Sequence, residues 1–186
     1  MHNSPRPTPV FKHPDINSSS LSRDCAEPMG WTSENVATDF NISRQAMDEY
    51  ALLSHTRAAE AQTSGRFDAE IIPFPTIQVT PADPKNPGDL TNATVSSVVI
   101  TKDDGIRTGT TIEGLAKLKS AFPNWGDGKS TAGNSSPVTD GAAAVMLMTR
   151  KKAEELGLEI LAKHVSTVVT GVPPRHMGIG PVFAIP

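Results

Sequence analysis

The chain has 186 residues, with 17 basic and 20 acidic side chains, a formal net charge of −3, 37% hydrophobic residues and 5% aromatic ones. Its longest unbroken apolar run, Ala142 to Met148, is far short of the roughly 20 residues a bilayer-spanning helix needs. The mild acidity gives no electrostatic footprint for nucleic acid, and a single cysteine cannot form an internal disulfide.

The first 22 residues carry four prolines within fourteen positions and then Ser18-Ser19-Ser20. That composition cannot present an apolar face, so the segment reads as an irregular lead-in. No apolar stretch follows its basic residue, so it is not a secretory signal. Residues 32–40 follow as a short helix. Thr32 is its expected cap, Glu34 suits the positive N-terminal end, and Val36, Ala37 and Phe40 are its apolar side. The clearest helix is expected from Ser43 to about Gln62. Met47, Tyr50, Ala51, Ser54, Ala58 and Ala61 share one face of a 3.6-residue period, and Gly65 ends it. His55 lies beside that stripe and reads as a surface or edge residue.

Beyond Gly65 the pattern turns extended. Ala69 to Phe74 and Ile77 to Thr80 read as short strands, with Pro73 and Pro75 keeping them from a sheet centre. Residues 81–93 are a proline-rich loop, and Val95 to Thr101 is a strand. Thr111 caps a short helix carrying Ile112, Leu115, Ala116 and Leu118. Phe122 to Gly133 is irregular. Gly141 to Met148 suits a strand buried on both faces. Arg150 to Leu156 is a charged helix stopped by Gly157, and Leu161 to Val172 is a second β-branched strand. Strand, helix and strand in that order predict an α/β fold.

Few residues advertise chemistry by themselves. Cys25 is the only thiol, and no strand-to-helix turn or neighbouring base activates it. No two of His2, His13, His55, His164 and His176 have metal-ligand spacing, which predicts no metal site. Asp103-Asp104 and Glu154-Glu155 are adjacent acids that diverge in direction. Gly126-Asp127-Gly128-Lys129-Ser130 superficially resembles a phosphate loop. The first glycine that motif requires would fall at Pro123, so it fails. Two glycine-containing loops, Thr131 to Gly141 and Met177 to Pro181, could admit a ligand close to the backbone.

Four blocks together resemble the thiolase family, in particular its peroxisomal 3-ketoacyl-CoA branch. They are Pro28-Met29-Gly30-Trp31-Thr32-Ser33-Glu34-Asn35-Val36-Ala37; Asp104-Gly105-Ile106-Arg107 with Thr110-Thr111 and Leu115 to Lys119; Thr131 to Ala144; and Gly171 to Pro174 with Met177 to Pro181 and Ala184 to Pro186. The resemblance runs from about residue 22 to 186 and corresponds to the middle half of a thiolase. It implies a layered α/β fold of which this chain holds part: residues 1–22 as a tail, 23–149 as a partial N-terminal domain with the loop region, and 150–186 as the start of the C-terminal domain.

It implies β-oxidation chemistry, in which 3-ketoacyl-CoA and CoA yield acyl-CoA and acetyl-CoA. CoA is then a substrate, and no cofactor is expected. The family's nucleophilic cysteine lies upstream of the Met-Gly segment, and its histidine and second cysteine lie downstream of the Met-Gly-Ile-Gly-Pro segment. None of these motifs is present, so no catalytic residue is assigned and inactivity alone is expected. Cys25 matches a non-catalytic position. The positions carried over are binding ones: Met29 and Met177 beside the acyl channel, Arg107 near the CoA nucleotide, and Ser136 against the pantetheine. Two departures stand out. Pro137 removes an N–H beside Ser136, and the first twenty residues match nothing upstream in the family. The resemblance further implies acyl-CoA and CoA as partners, a thiolase-like homo- or heterodimer, and a peroxisomal setting. With no address visible, the cytoplasm is the alternative. A non-catalytic CoA-binding or subunit-pairing protein, or a truncated gene product, is the alternative to an acyltransferase.

Overall fold

The computed structural model describes residues 14–186. Its elements in chain order are α1 (Pro14–Ser18), α2 (Ser20–Asp24), α3 (Met29–Asp39), α4 (Arg44–Thr63), β1 (Phe74–Thr80), β2 (Thr94–Ile100), α5 (Ile112–Ala116), α6 (Arg150–Glu155), a 3-10 segment (Pro174–Ile179) and α7 (Gly180–Ala184). Contacts divide the chain into two units, Met1–Met47 with Lys119–Pro186, and Asp48–Leu118.

The first unit is organised by α3. The helix starts three residues earlier than its sequence suggests, with Pro28 at the N-cap position and φ fixed at −59°. The Pro28 carbonyl accepts from Trp31 N and Thr32 N, so the first turn closes before Thr32 can act as a cap. Thr32 instead donates its hydroxyl to Met29 O at 2.8 Å, a back-bond typical of threonine inside a helix. Glu34 therefore lies in mid-helix, not in the first turn. Gly30 lets α3 meet Phe122 closely, since a Cβ there would fall 1.9 Å from the ring. The lead-in read as irregular carries α1 and α2 from Pro14 onward. The start of that tail, with His2 and His13, lies outside the described residues.

Two segments of this unit differ from expectation. Neither residues 141–148 nor residues 161–172 form a strand. A strand interior to a sheet needs a hydrogen-bonded neighbour on each side, and among the described residues neither segment has one. Their side chains are open to solvent, Val145 at 82% and Val169 at 91%. The helix between them forms as expected. Thr149 accepts from Lys152 N, and Gly157 ends the helix at φ 65°.

In the second unit, α4 follows an N-terminal turn where Ser43 Oγ accepts from Ala46 N at 3.1 Å. Its covered stripe is rotated about one position from the apolar pattern. Asp48 and Ala51 are buried and His55 and Ala58 half-buried, while Tyr50 and Ser54 are exposed. β1 and β2 pair antiparallel from Phe74↔Ile100 to Thr80↔Thr94. A two-stranded ladder has only edges, which is where Pro75 is tolerated. Thr111 caps α5 by accepting from Gly114 N at 3.1 Å, and Leu115 is buried beneath it.

Candidate functional site

Around α3 the interior is more polar than apolar. Among the described residues four apolar side chains are buried, Ala37, Ala51, Leu115 and Ala153, against six polar ones, five of which lie on α3 or the loop facing it. Such burial requires hydrogen-bond partners, and among the described residues no buried side-chain polar atom lacks one.

Glu34 is fully buried. Its Oε1 accepts from Ser130 N at 2.5 Å and its Oε2 from Lys129 N at 2.9 Å. Ser33 and Ser130 share a hydroxyl bond of 3.2 Å. Lys129 Nζ donates to Ala37 O at 3.2 Å near the helix end, a favourable place for a cation, and pairs with Asp127 at 3.0 Å. The glycines of the same loop are needed for their backbone shape, Gly126 at φ 56° and Gly128 at φ 63°. The Gly-Lys-Ser string that resembles a phosphate loop thus has its Lys129 and Ser130 amides occupied by a carboxylate from within the chain.

The loop is also fixed from within. Thr131 N donates to Asn134 Oδ1 at 2.7 Å, Asn134 Nδ2 donates to Lys129 O at 3.1 Å, and Thr131 Oγ1 accepts from Gly133 N and Asn134 N. Ser120 and Thr131 form an antiparallel bridge beside it.

A second node joins α3 to the 3-10 segment. Asn35 Nδ2 donates to Glu27 Oε2 at 2.8 Å and to Arg175 O at 3.3 Å, and Asn35 Oδ1 accepts from Trp125 Nε1 at 3.1 Å. Trp125 stacks on Trp31 with centroids 4.2 Å apart and planes 10° apart. Asp39 meets His176 Nε2 at 2.6 Å and Arg175 at 3.6 Å, and the His176 ring stands edge-on to Phe40. An open hollow of about 280 Å³ lies between Asn35, Asp39, Trp125 and Arg175.

The four sequence-predicted binding residues are distributed over this frame. Met29 opens α3 and is 64% exposed. Met177 lies on the 3-10 segment, which packs on α3, and is 45% exposed. Ser136 is exposed, two residues beyond the loop that Glu34 holds. Arg107 is exposed and belongs to the second unit. Cys25 is exposed on the rim of a separate apolar hollow of about 470 Å³ with Val172 and Pro173. Sequence reasoning did not single out Asn35, Asp39, Trp125, Arg175 or His176 for a role, since each bonds a residue 90 or more positions away, apart from Asn35's link to Glu27. From sequence, Glu34 carries only a helix-dipole role.

The family profile described as "Thiolase, N-terminal domain" matches residues 12–151. The chain belongs to the thiolase family. It is 55% identical over 165 residues to the peroxisomal 3-ketoacyl-CoA thiolase of Homo sapiens, covering 89% of this chain and 36% of that protein. It is 48% identical over 165 residues to the peroxisomal 3-ketoacyl-CoA thiolase of Yarrowia lipolytica, covering 89% of this chain and 37% of that protein. Among solved structures it resembles the dimeric peroxisomal thiolase of Saccharomyces cerevisiae, with a TM-score of 0.76, 34% identity, and coverage of 95% of this chain and 40% of that one. The Bacillus anthracis acetyl-CoA acetyltransferase gives a TM-score of 0.68 at 42% identity, covering 84% and 36%. The α/β class follows from these thiolase structures. The chain spans a little over a third of the length of the relatives it matches.

Proposed function

We propose that this chain serves thiolase-type acyl transfer between 3-ketoacyl-CoA and CoA by contributing CoA- and acyl-contacting surface, with Met29, Arg107, Ser136 and Met177 as the contacts. The observation that carries the reading is the 55% identity to a peroxisomal 3-ketoacyl-CoA thiolase across 89% of the chain. The chemistry is consistent with it. Exposed methionines adapt to an acyl chain, a hydroxyl suits a pantetheine amide, and a guanidinium suits phosphate. Residues 23–149 then belong to the N-terminal half of the thiolase architecture and 150–186 to the start of the C-terminal half.

The reading assigns no nucleophile or base to these residues, so it expects CoA binding without turnover from the isolated chain. Calorimetric titration with CoA tests it. Saturable binding that weakens with Ser136→Ala supports it, and no heat up to millimolar CoA overturns it. A thiolase-like dimer and a peroxisomal location belong to the same proposal, supported by the dimeric and peroxisomal descriptions of the similar thiolases. Sedimentation of the purified chain tests the dimer. The distribution of a fluorescent fusion against a peroxisomal marker tests the location.

A further inference from the structure

We infer that Glu34 is a positioning residue that holds the backbone of the Lys129–Asn134 loop in one geometry and thereby sets where Ser136 is presented. The bond to pantetheine rests on the CoA-binding reading above; the clamp itself does not.

A buried carboxylate requires strong hydrogen-bond partners. Glu34 is fully buried, and burying a charge is costly unless strong partners compensate. Here each oxygen takes one backbone amide, from Lys129 and from Ser130. Backbone N–H bonds to a carboxylate are charge-assisted and about twice as strong as neutral ones. A helix side chain that bridges two consecutive amides also fixes the peptide between them. Ser130 and Thr131 are themselves buried, at 2% and 0%. The next bonds run outward from that anchor: Ser130 O accepts from Ala121 N at 2.8 Å, Thr131 N reaches Asn134, and Asn134 returns to Lys129 O. The loop is therefore a closed ring of bonds whose contact with α3 runs through Glu34, joined by the Ser33 hydroxyl and the Lys129 ammonium. The chain leaves that ring at Asn134, and Ser136 stands two residues on in an exposed position. Pro137 follows and biases Ser136 toward extended backbone, so Ser135 is the one residue between the bonded ring and Ser136 that neither restrains.

The chemistry gives a sharp substitution. Glu34→Gln keeps the size and the helix but replaces one acceptor oxygen with an NH₂ group. One of the two amides must then face a donor. Amide hydrogen exchange read by NMR on the full chain tests the clamp, and a CoA double-mutant cycle with Ser136→Ala tests its purpose. The expected result is exchange faster by about tenfold or more at the bonded amides of residues 129–134 in Glu34→Gln, with α6 and the second unit unchanged. Where the wild type binds CoA, Glu34→Gln should weaken binding about fivefold, and should weaken it no further once Ser136 is alanine, the non-additivity expected of residues acting in series.

Unchanged exchange at 129–134 overturns the clamp. Raised exchange with fully additive losses in the cycle overturns its link to Ser136. A wild type that does not bind CoA overturns the function proposed above, and exchange alone then decides the clamp. Should Glu34→Gln not fold, the wild type gives the reading: Lys129 and Ser130 amides must be protected like the internal amides of α3, and unprotected amides overturn the inference.

Discussion

Two parts of the first unit invert the usual rule of burial. Around α3, Glu34, Asn35, Thr32, Ser130 and Thr131 are buried, whereas between residues 138 and 169 Val138, Val145, Leu147, Leu161 and Val169 are more than four-fifths exposed. Hydropathy would assign the opposite. The difference is in available partners. A polar side chain can be buried wherever donors and acceptors close around it, and the chain places Lys129, Ser130 and Trp125 where α3 needs them. An extended apolar segment is buried beneath a sheet or layer, and among the described residues these segments have no ladder.

That contrast can be broken at its polar end. Glu34→Ala leaves the buried Ser130 amide and the part-buried Lys129 amide without an acceptor, at a cost of about 1–3 kcal/mol for a buried one, and should lower stability by about 2–4 kcal/mol in urea unfolding. A loss within that of an ordinary surface change would show that the polar node does not hold the unit. Gly30→Ala probes the same packing by shape. A methyl group there meets the Phe122 ring, and overpacking should cost about 1–3 kcal/mol by thermal unfolding. Adding Phe122→Leu should recover part of that loss.

At the apolar end the expected effects on folding are small. Val145→Lys and Val169→Lys should each change stability by less than about 0.5 kcal/mol, since both side chains are already in solvent. Light scattering of the chain at rest should fall with both, because exposed apolar β-branched stretches drive association. A stability loss of several kcal/mol in either variant would mean these residues are packed after all.

The smallest effect expected lies in the second unit. The side-chain and backbone bonds from Thr91 hold the Asp89 carboxyl below its usual pKa. A depressed folded pKa means stability that is present above the unfolded pKa and lost as pH falls through the folded one. Asp89→Asn should remove that acid-side dependence, read as loss of the shifted carboxyl titration by NMR, with no change in the β1–β2 amide signals.

Much of the local structure was legible because its causes are local. Ser43, Thr111 and Thr149 each accept from an amide three residues on, and Gly65 and Gly157 lie in the left-handed region at or just beyond their helix ends. The start of α3 was misplaced because Thr32 is a good cap in isolation, while Pro28 closes the turn first. The stripe on α4 was misplaced by about one position because Asp48, a polar residue, is the one buried there.

The candidate site divides the same way. Met29, Arg107, Ser136 and Met177 came from motif resemblance, and the family followed from the chain's own strings. Apart from Glu27, the partners of Glu34, Asn35 and Asp39 lie about 90 to 140 residues away in sequence, where no period or spacing reaches. The sequence alone determined the caps before α4, α5 and α6, the glycine stops after α4 and α6, and the family, because each depends on residues within a turn of one another or on a string of adjacent ones. Only the tertiary structure decided which carboxylate is buried, which loop it holds and which apolar runs stay uncovered, because those outcomes depend on partners brought together by folding.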